Sequence, residues 1–119
     1  MLSPPSINNK FYKDLDLILK ENKVKYFQLR LKNTSVTNLI KISKKIKKIL
    51  KKYNVKFIIN DNPILAKKVG ADGCHIGQED MDYKTSRKIL GKKKIIGITC
   101  HNSKKLALKA KNNGADYIA

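Results

Sequence analysis

The spacing of apolar residues along the chain changes repeatedly between a helical and a strand-like pattern. Segments with apolar residues three or four apart alternate with short, nearly continuous apolar runs, which predicts helices that alternate with buried strands. The predicted helices cover residues 11–21, 35–53, 63–69, 83–90 and 103–113. The predicted strands cover residues 24–32, 55–60, 73–77, 94–99 and 116–119, and Met1-Leu2 is the remnant of a strand before them. The pattern therefore indicates a series of βα units.

An internal repeat supports these units. The segments Ala66–Asp72 and Ala110–Asp116 share five of seven residues at an offset of 44. In each segment a helix ends at a glycine, which can adopt the left-handed conformation, and Ala-Asp then leads into a strand. Such junctions fit βα units of about 22 residues, which form a parallel sheet with helical crossovers.

Two α/β architectures are open at this point, a doubly wound sheet and a (β/α)8 barrel of the TIM type. The regular unit length and the lack of a Gly-rich phosphate loop favour the barrel. A barrel needs about 200–250 residues, whereas this chain supplies roughly five and a half units that end in the sixth strand. We therefore expect residues 1–119 to form one domain, which is either an incomplete (β/α)8 barrel, and so a fragment, or an open sheet.

The charge of the chain suggests a nucleic-acid partner only at first sight. There are 27 Lys and Arg against 9 Asp and Glu, a formal net charge of +18. However, only Arg30 and Arg87 are arginines, the residue that base and phosphate recognition favours. The lysines between residues 41 and 52 fall between the apolar positions of the long helix, which predicts a solvated outer face. We therefore expect no specific nucleic-acid partner.

The chain also lacks the features of membrane and secreted proteins. No apolar run approaches the roughly 20 residues of a membrane span, and the first residues lack the charged and apolar parts of a secretion signal. Two cysteines 26 residues apart do not form a disulfide framework. We expect a cytoplasmic protein with no membrane partner.

A row of polar residues lies on the strand 24–32. Gln28, Arg30 and Lys32 are two apart and point to one face, whereas Leu29 and Leu31 point to the other. Cationic groups that converge inside a sheet are costly unless they meet an anion. The row therefore favours an anion site, and the alternative is an exposed edge strand with a solvated face.

Acidic residues follow the next two strands. Asp61 follows Asn60 at the end of one strand, and Asp80 lies in the Glu79–Asp82 cluster after the next. Carboxylates at neighbouring carboxyl ends, beside a basic row, are typical of a site for Mg²⁺ and a phosphate. The alternatives are structural, with Asp61 as the N-cap of the following helix and Asn60 as a turn former.

Two Cys-His pairs invite a zinc hypothesis, which we reject. Cys74-His75 and Cys100-His101 are adjacent residues that face opposite ways on a strand, and CxxC spacing is missing. We expect His75 to be a satisfied core or site-lining histidine. His101 follows a strand and is better placed for proton transfer.

Five segments in this order resemble the thiamine-phosphate synthase family. They are FQLRLK (27–32), FIINDN (57–62), ADGCHIGQEDM (71–81), IIGITCHN (95–102) and AKNNGADYIA (110–119). The resemblance covers almost the whole chain and is shared mainly with the sister thiazole tautomerases. It implies a (β/α)8 barrel that joins hydroxymethylpyrimidine diphosphate to thiazole phosphate and releases pyrophosphate.

The resemblance also implies residue roles. The pyrimidine diphosphate is held by Gln28, Arg30, Lys32 and Asn60, Mg²⁺ is bound by Asp61 and Asp80, and the pyrimidine is hydrogen-bonded by Thr99. Thr99 replaces the usual serine and keeps its hydroxyl, and Leu31 replaces a common acid. The thiazole-phosphate loops that follow the family's later strands are missing, so we expect a pyrimidine-diphosphate and Mg²⁺ half-site that turns over poorly alone and self-associates through an open barrel edge.

Two other functions stay open at this stage. A thiazole tautomerase would use His101 as acid and base on a thiazole phosphate. A lysine-rich nucleic-acid binder would show affinity that falls steeply with salt.

Overall fold

The computed structural model describes all 119 residues, in which five helices alternate with five strands. The helices are α1 (Asn9–Glu21), α2 (Val36–Lys52), α3 (Pro63–Val69), α4 (Tyr83–Leu90) and α5 (Lys104–Asn113). The strands are β1 (Tyr26–Leu29), β2 (Lys56–Asn60), β3 (Gly73–Ile76), β4 (Ile95–Ile98) and β5 (Tyr117–Ile118). Every predicted element is present. The strand predicted over residues 24–32 was too long, because regular pairing ends at Leu29.

The five strands form one sheet in the order β1-β2-β3-β4-β5. β2 pairs with β3, β3 with β4 and β4 with β5, each in parallel. Parallel neighbours need a crossover, and one helix supplies each of these connections. The expected α/β fold with a parallel sheet is therefore confirmed. The chain forms two compact units, Met1–Phe57 and Ile58–Ala119, which we describe in turn.

The first unit buries one face of α1 and α2 together with β1. Its core contains Leu15, Leu19, Phe27, Ile46 and Leu50. All but one of the seven lysines between residues 41 and 52 are exposed on α2, and the remaining one is half-buried. The predicted solvated face of this helix is therefore confirmed, and most of its charge belongs to an outer surface.

Asp16 makes polar contacts between the two helices of this unit. Asp16 of α1 accepts hydrogen bonds from the Lys52 ammonium at 3.1 Å and from the Tyr53 hydroxyl at 2.9 Å. These contacts lower the pKa of Asp16. Before α1, Leu2 forms an isolated parallel bridge with Gln28, so the first residues lie beside β1 as expected of a strand remnant.

Each of the three helices of the second unit begins at a capping side chain and ends at a glycine. Asn62, Asp82 and Ser103 are the N-caps of α3, α4 and α5, and each side chain accepts a hydrogen bond from a backbone N–H in the first turn. Gly70 and Gly114 end α3 and α5 in the left-handed conformation. The repeated junctions are thus the same turn, used twice.

Arg87 ties the amino ends of the last two strands together. Its guanidinium donates to Asp116 at 2.8 Å, to the Tyr83 hydroxyl at 2.8 Å and to the Gly91 carbonyl at 3.1 Å. It also donates to the Lys94 carbonyl. One of the two arginines therefore serves the structure of the second unit.

None of the five helices is long and apolar enough to cross a membrane.

Candidate functional site

The predicted cationic row lies at and beyond the end of β1, in the first unit. Phe27 and Leu29 are buried, Gln28 is half-buried, and Arg30 and Lys32 are exposed. The expected alternation therefore holds as far as Arg30. Only Gln28 of the row belongs to the strand, and Lys32 lies in a bend. The prediction that all three residues share one strand face was wrong for this reason.

Ser3 fixes the backbone that carries the first cation. It is buried, and its hydroxyl accepts from the Arg30 N–H at 2.9 Å and donates to the Arg30 carbonyl at 3.3 Å. Nothing in the sequence identified this contact, since Ser3 lies 27 positions away in the segment before α1. The Arg30 side chain is exposed while its main chain is held.

In the second unit, Asp61 stands at the carboxyl end of β2 with an unusual backbone. Its φ is 63°, in the left-handed region, and its N–H donates to the His75 carbonyl at 2.7 Å. The N-cap of α3 is the next residue, Asn62, whose side chain accepts from the Leu65 N–H at 2.9 Å. Asp61 is therefore not the helix cap, and the structural alternative for this carboxylate fails.

The three acids after β3 divide into separate roles. Asp80 folds back over its own loop, since its Oδ2 accepts from the Gly77 N–H at 2.8 Å. Asp82 caps α4, with Oδ1 accepting from the Thr85 N–H at 2.7 Å, and this hydrogen bond lowers the pKa of Asp82. Glu79 is exposed. Asp80 is thus the aspartate of this cluster that does not cap α4.

Asp61 and Asp80 both act on one buried thiol. Burial, followed by the negative charges of these two carboxylates, raises the pKa of the Cys74 thiol to about 12. The thiol is therefore neutral and unreactive at ordinary pH. The Asp61 N–H donates to the His75 carbonyl and the Asp80 carboxylate accepts from the Gly77 N–H, so both predicted metal ligands lie near the carboxyl end of β3 in the second unit.

The donor chemistry of this region fits Mg²⁺. No three His, Cys, Asp or Glu side chains form a metal-binding group. Mg²⁺, however, binds through one or two carboxylates and completes its shell with water and phosphate oxygens. The Asp80 carboxylate is exposed, and Asp61 is exposed as well. Two exposed carboxylates at neighbouring strand ends suit that mode of binding.

Thr99 follows β4 and is held by neighbours on both sides. Its Oγ1 lies 2.7 Å from Nε2 of His75, and its carbonyl accepts from the Gln78 side chain at 2.7 Å. The other ring nitrogen of His75 lies 2.9 Å from the Tyr117 hydroxyl. His75 is therefore buried with partners on both ring nitrogens, in agreement with the expected satisfied histidine. Tyr117 and Gln78 were not predicted as site residues, although Gln78 lies in the segment ADGCHIGQEDM (71–81) that carries the family resemblance.

Asn60 lies beside this group in the sheet. It is the last residue of β2, is half-buried, and is in register with His75. Asn60, Asp61, Asp80 and Thr99 therefore all lie at the carboxyl ends of strands in the second unit. This is the edge of a parallel sheet at which ligands bind in α/β folds.

Two cysteines and the second histidine complete the sulfur and imidazole groups that the sequence singled out. Cys74 and Cys100 are both free and buried. His101 follows β4, is exposed, and has a φ of 51°.

A cleft of about 390 Å³ lies near the same loop. Its walls include the apolar residues Ile76, Ile98 and Leu106 and the basic residues Lys84 and Lys109. Asp80 lines it, but Asp61 and Thr99 do not. Of these three candidate residues, the cleft therefore includes only Asp80.

Comparison with known proteins gives consistent matches. A protein-family model described as thiamine monophosphate synthase matches residues 2–119. The thiamine-phosphate synthase of Pelagibacter ubique (strain HTCC1062) is 59% identical over 122 residues, which cover 100% of this chain and 58% of that protein. The thiamine-phosphate synthase of Rhodospirillum centenum (strain ATCC 51521 / SW) is 37% identical over 120 residues, with the same coverage of 100% and 58%.

A solved structure agrees with these matches. The thiamine phosphate pyrophosphorylase from Pyrococcus furiosus superposes with a TM-score of 0.81 at 29% sequence identity, over 91% of this chain and 52% of that chain. The chain thus spans 58% of the length of the two curated relatives. Neither the tautomerase nor the nucleic-acid alternative is favoured by these names.

Proposed function

The chain belongs to the thiamine monophosphate synthase family, and on that premise we propose that it carries the pyrimidine-diphosphate and Mg²⁺ half-site of a transferase of thiamine biosynthesis. The reaction condenses hydroxymethylpyrimidine diphosphate with thiazole phosphate to give thiamine phosphate and pyrophosphate. The carrying observation is the pair Asp61 and Asp80, which stand after neighbouring parallel strands and are hydrogen-bonded to His75 and Gly77 at the end of β3. The resemblance stated from the sequence is confirmed at the level of the family.

The proposed architecture is a (β/α)8 barrel to which residues 1–119 contribute one partial domain. Five strands in sequential order, each pair of neighbours connected by a helix, support this architecture. In such barrels, residues at the carboxyl ends of the strands carry the chemistry. The candidate residues of the second unit occupy that edge.

The proposed roles follow from the chemistry of each side chain. Arg30 and Lys32 offset the negative charge of the diphosphate. As the bond to the pyrimidine carbon breaks, this negative charge grows, so the two cations attract the leaving pyrophosphate more strongly. The amides of Gln28 and Asn60 orient the substrate, since they can both donate and accept hydrogen bonds. Thr99 hydrogen-bonds the pyrimidine.

Asp61 and Asp80 are the proposed Mg²⁺ ligands. When bound, Mg²⁺ stabilises negative charge on phosphate oxygens. The departing pyrophosphate leaves a pyrimidine cation, which the thiazole nitrogen captures.

The proposed partners are these small molecules, and nucleic acid and membranes are not among them. We place the protein in the cytoplasm, because a reducing compartment suits two free cysteines. Self-association is proposed at β5, where Ile118 is 49% exposed on the last strand of the sheet.

A calorimetric titration tests the proposed half-site. The 119-residue chain should bind hydroxymethylpyrimidine diphosphate with Mg²⁺ and much more weakly with EDTA. Asp61→Asn and Asp80→Asn should each weaken Mg²⁺-dependent binding by at least about tenfold, as loss of a charged ligand predicts.

Asp14→Asn is the matched control, because it removes the same charge from an exposed position on α1. Binding that does not need Mg²⁺, or that both site variants leave unchanged, would refute the proposed half-site.

A further inference from the structure

A hydrogen-bonded chain of three side chains leads into the candidate site. The Tyr117 hydroxyl lies 2.9 Å from Nδ1 of His75, and Nε2 of His75 lies 2.7 Å from Oγ1 of Thr99. His75 is only 7% exposed. Thr99, at the far end, is the residue proposed to meet the pyrimidine.

The register of the sheet explains how residues from three strands come together. His75 of β3 is opposite Gly97 of β4, and Gly97 is opposite Tyr117 of β5. A Cβ atom at Gly97 would lie 2.0 Å from Cζ of the tyrosine ring. The ring therefore lies across β4 where a side chain is missing, which brings its centroid to 5.5 Å from that of the imidazole.

The state of the imidazole decides what Thr99 can offer a ligand. A neutral imidazole has one N–H donor and one acceptor nitrogen. If the proton is on Nδ1, Nε2 accepts from the Thr99 hydroxyl, which then presents only lone pairs. If the proton is on Nε2, it donates to Oγ1 and leaves the Thr99 O–H to donate elsewhere. Pyrimidine ring nitrogens are acceptors, so they need the second state.

The relative acidity of the two hydroxyls favours that second state. A phenol, with a pKa near 10, is a better hydrogen-bond donor and a poorer acceptor than an aliphatic hydroxyl. The favourable polarity therefore has Tyr117 donating to Nδ1 and Nε2–H donating to Thr99. Tyr117, His75 and Thr99 then all donate in the same direction, toward the candidate site.

We propose that His75 is a positioning residue, held by Tyr117 in its Nε2–H form, that makes the Thr99 hydroxyl a donor to a ring nitrogen of the pyrimidine. This inference rests on the proposed function for the identity of the ligand. The state of the imidazole is a property of the unliganded chain and is measurable without any substrate.

Nitrogen-15 NMR of the imidazole rings tests the first part. The chain has two histidines, and His101→Asn leaves His75 as the only one, with asparagine well suited to the left-handed backbone there. We expect the Nε2–H form in this background and a shift toward Nδ1–H when Tyr117→Phe is added. A predominant Nδ1–H form, or a form that Tyr117→Phe leaves unchanged, overturns the proposal.

Two ligands test the second part in the full chain. Hydroxymethylpyrimidine diphosphate should bind about tenfold more weakly to Tyr117→Phe and Thr99→Val, which is the loss of one hydrogen bond. Thr99→Ser keeps the hydroxyl and should retain binding. Inorganic pyrophosphate with Mg²⁺ should bind equally to all variants, since it has no ring.

The outcomes separate the two proposals. A chain that binds neither ligand refutes the half-site, while the NMR result still decides the state of His75. Equal losses for pyrophosphate and for the pyrimidine diphosphate in Tyr117→Phe would show a purely structural role and overturn the positioning role.

Discussion

Substitutions at Asp61 can measure the backbone strain at this residue separately from the contribution of its carboxylate charge. Asp61 has a φ of 63°, a conformation that costs an L-residue roughly 1–2 kcal/mol when no local hydrogen bond compensates. Alanine at this position carries that strain in full. Glycine carries none, although it adds about 0.4–1 kcal/mol of unfolded-state entropy.

The two variants Asp61→Gly and Asp61→Ala both lack the carboxylate, so the difference between them isolates the backbone. We expect Asp61→Gly to have a free energy of unfolding about 1 kcal/mol higher than Asp61→Ala. Both variants should lose Mg²⁺-dependent binding of the pyrimidine diphosphate to the same extent, because the ligand oxygen is missing from each.

Urea denaturation measures the first quantity, and calorimetric titration measures the second. Asn54 is the matched control, because it has a φ of 57° at the end of α2 in the first unit. Asn54→Gly and Asn54→Ala should show the same difference in stability and no loss of binding. Equal stability of Asp61→Gly and Asp61→Ala, or retained Mg²⁺-dependent binding in either, would contradict the reasoning.

Three further predictions concern stability. Ser43 is fully buried and its Oγ has no partner, so Ser43→Ala should raise the free energy of unfolding by about 1 kcal/mol in urea denaturation. Ser86 is equally buried but donates to the Asp82 carbonyl at 2.7 Å. In the same experiment Ser86→Ala should therefore lower the free energy of unfolding by about 0.5 kcal/mol. The Cys74 thiol stays protonated in the folded chain after the unfolded chain has begun to lose its proton near pH 9.0. Stability should therefore fall as pH rises from 9 toward 12, and in Cys74→Ala that fall should be shallower by up to about 1.4 kcal/mol per pH unit; equal slopes would refute this. Arg87→Lys keeps the charge but loses the fork of donors, so chemical denaturation should show a loss of about 2 kcal/mol, and an unchanged midpoint would show that the fork is not needed.

The order and type of the elements could be predicted because local rules and burial agree along this chain. α3 and α4 begin and end where the sequence placed them, since a cap residue and a terminal glycine mark each one. β1 was overestimated because alternation continues past Leu29, whereas pairing does not. Alternation reports which face a residue occupies and carries no information on where a neighbouring strand stops.

The sequence pointed to the two acidic residues of the candidate site but not to the side chains that contact its other members. Asp61 and Asp80 stood out because acids are scarce in this chain and both follow buried strands. The contact of Ser3 with Arg30 in the first unit joins residues 27 positions apart, and that of Tyr117 with His75 in the second unit joins residues 42 positions apart. Hydrogen bonds over such separations depend on register and on the space above Gly97, which no local pattern encodes.

In the second unit, the residues with left-handed backbone differ between the two ends of the strands. Where the chain enters β3 and β5, the left-handed position is a glycine, Gly70 or Gly114, which adopts it without strain. Where the chain leaves β2 and β4, the same conformation is held by Asp61 and His101. A glycine would be the less strained choice at these exits too, so a side chain there is retained at a conformational cost. At Asp61 that cost falls on the residue whose carboxylate is proposed to bind Mg²⁺.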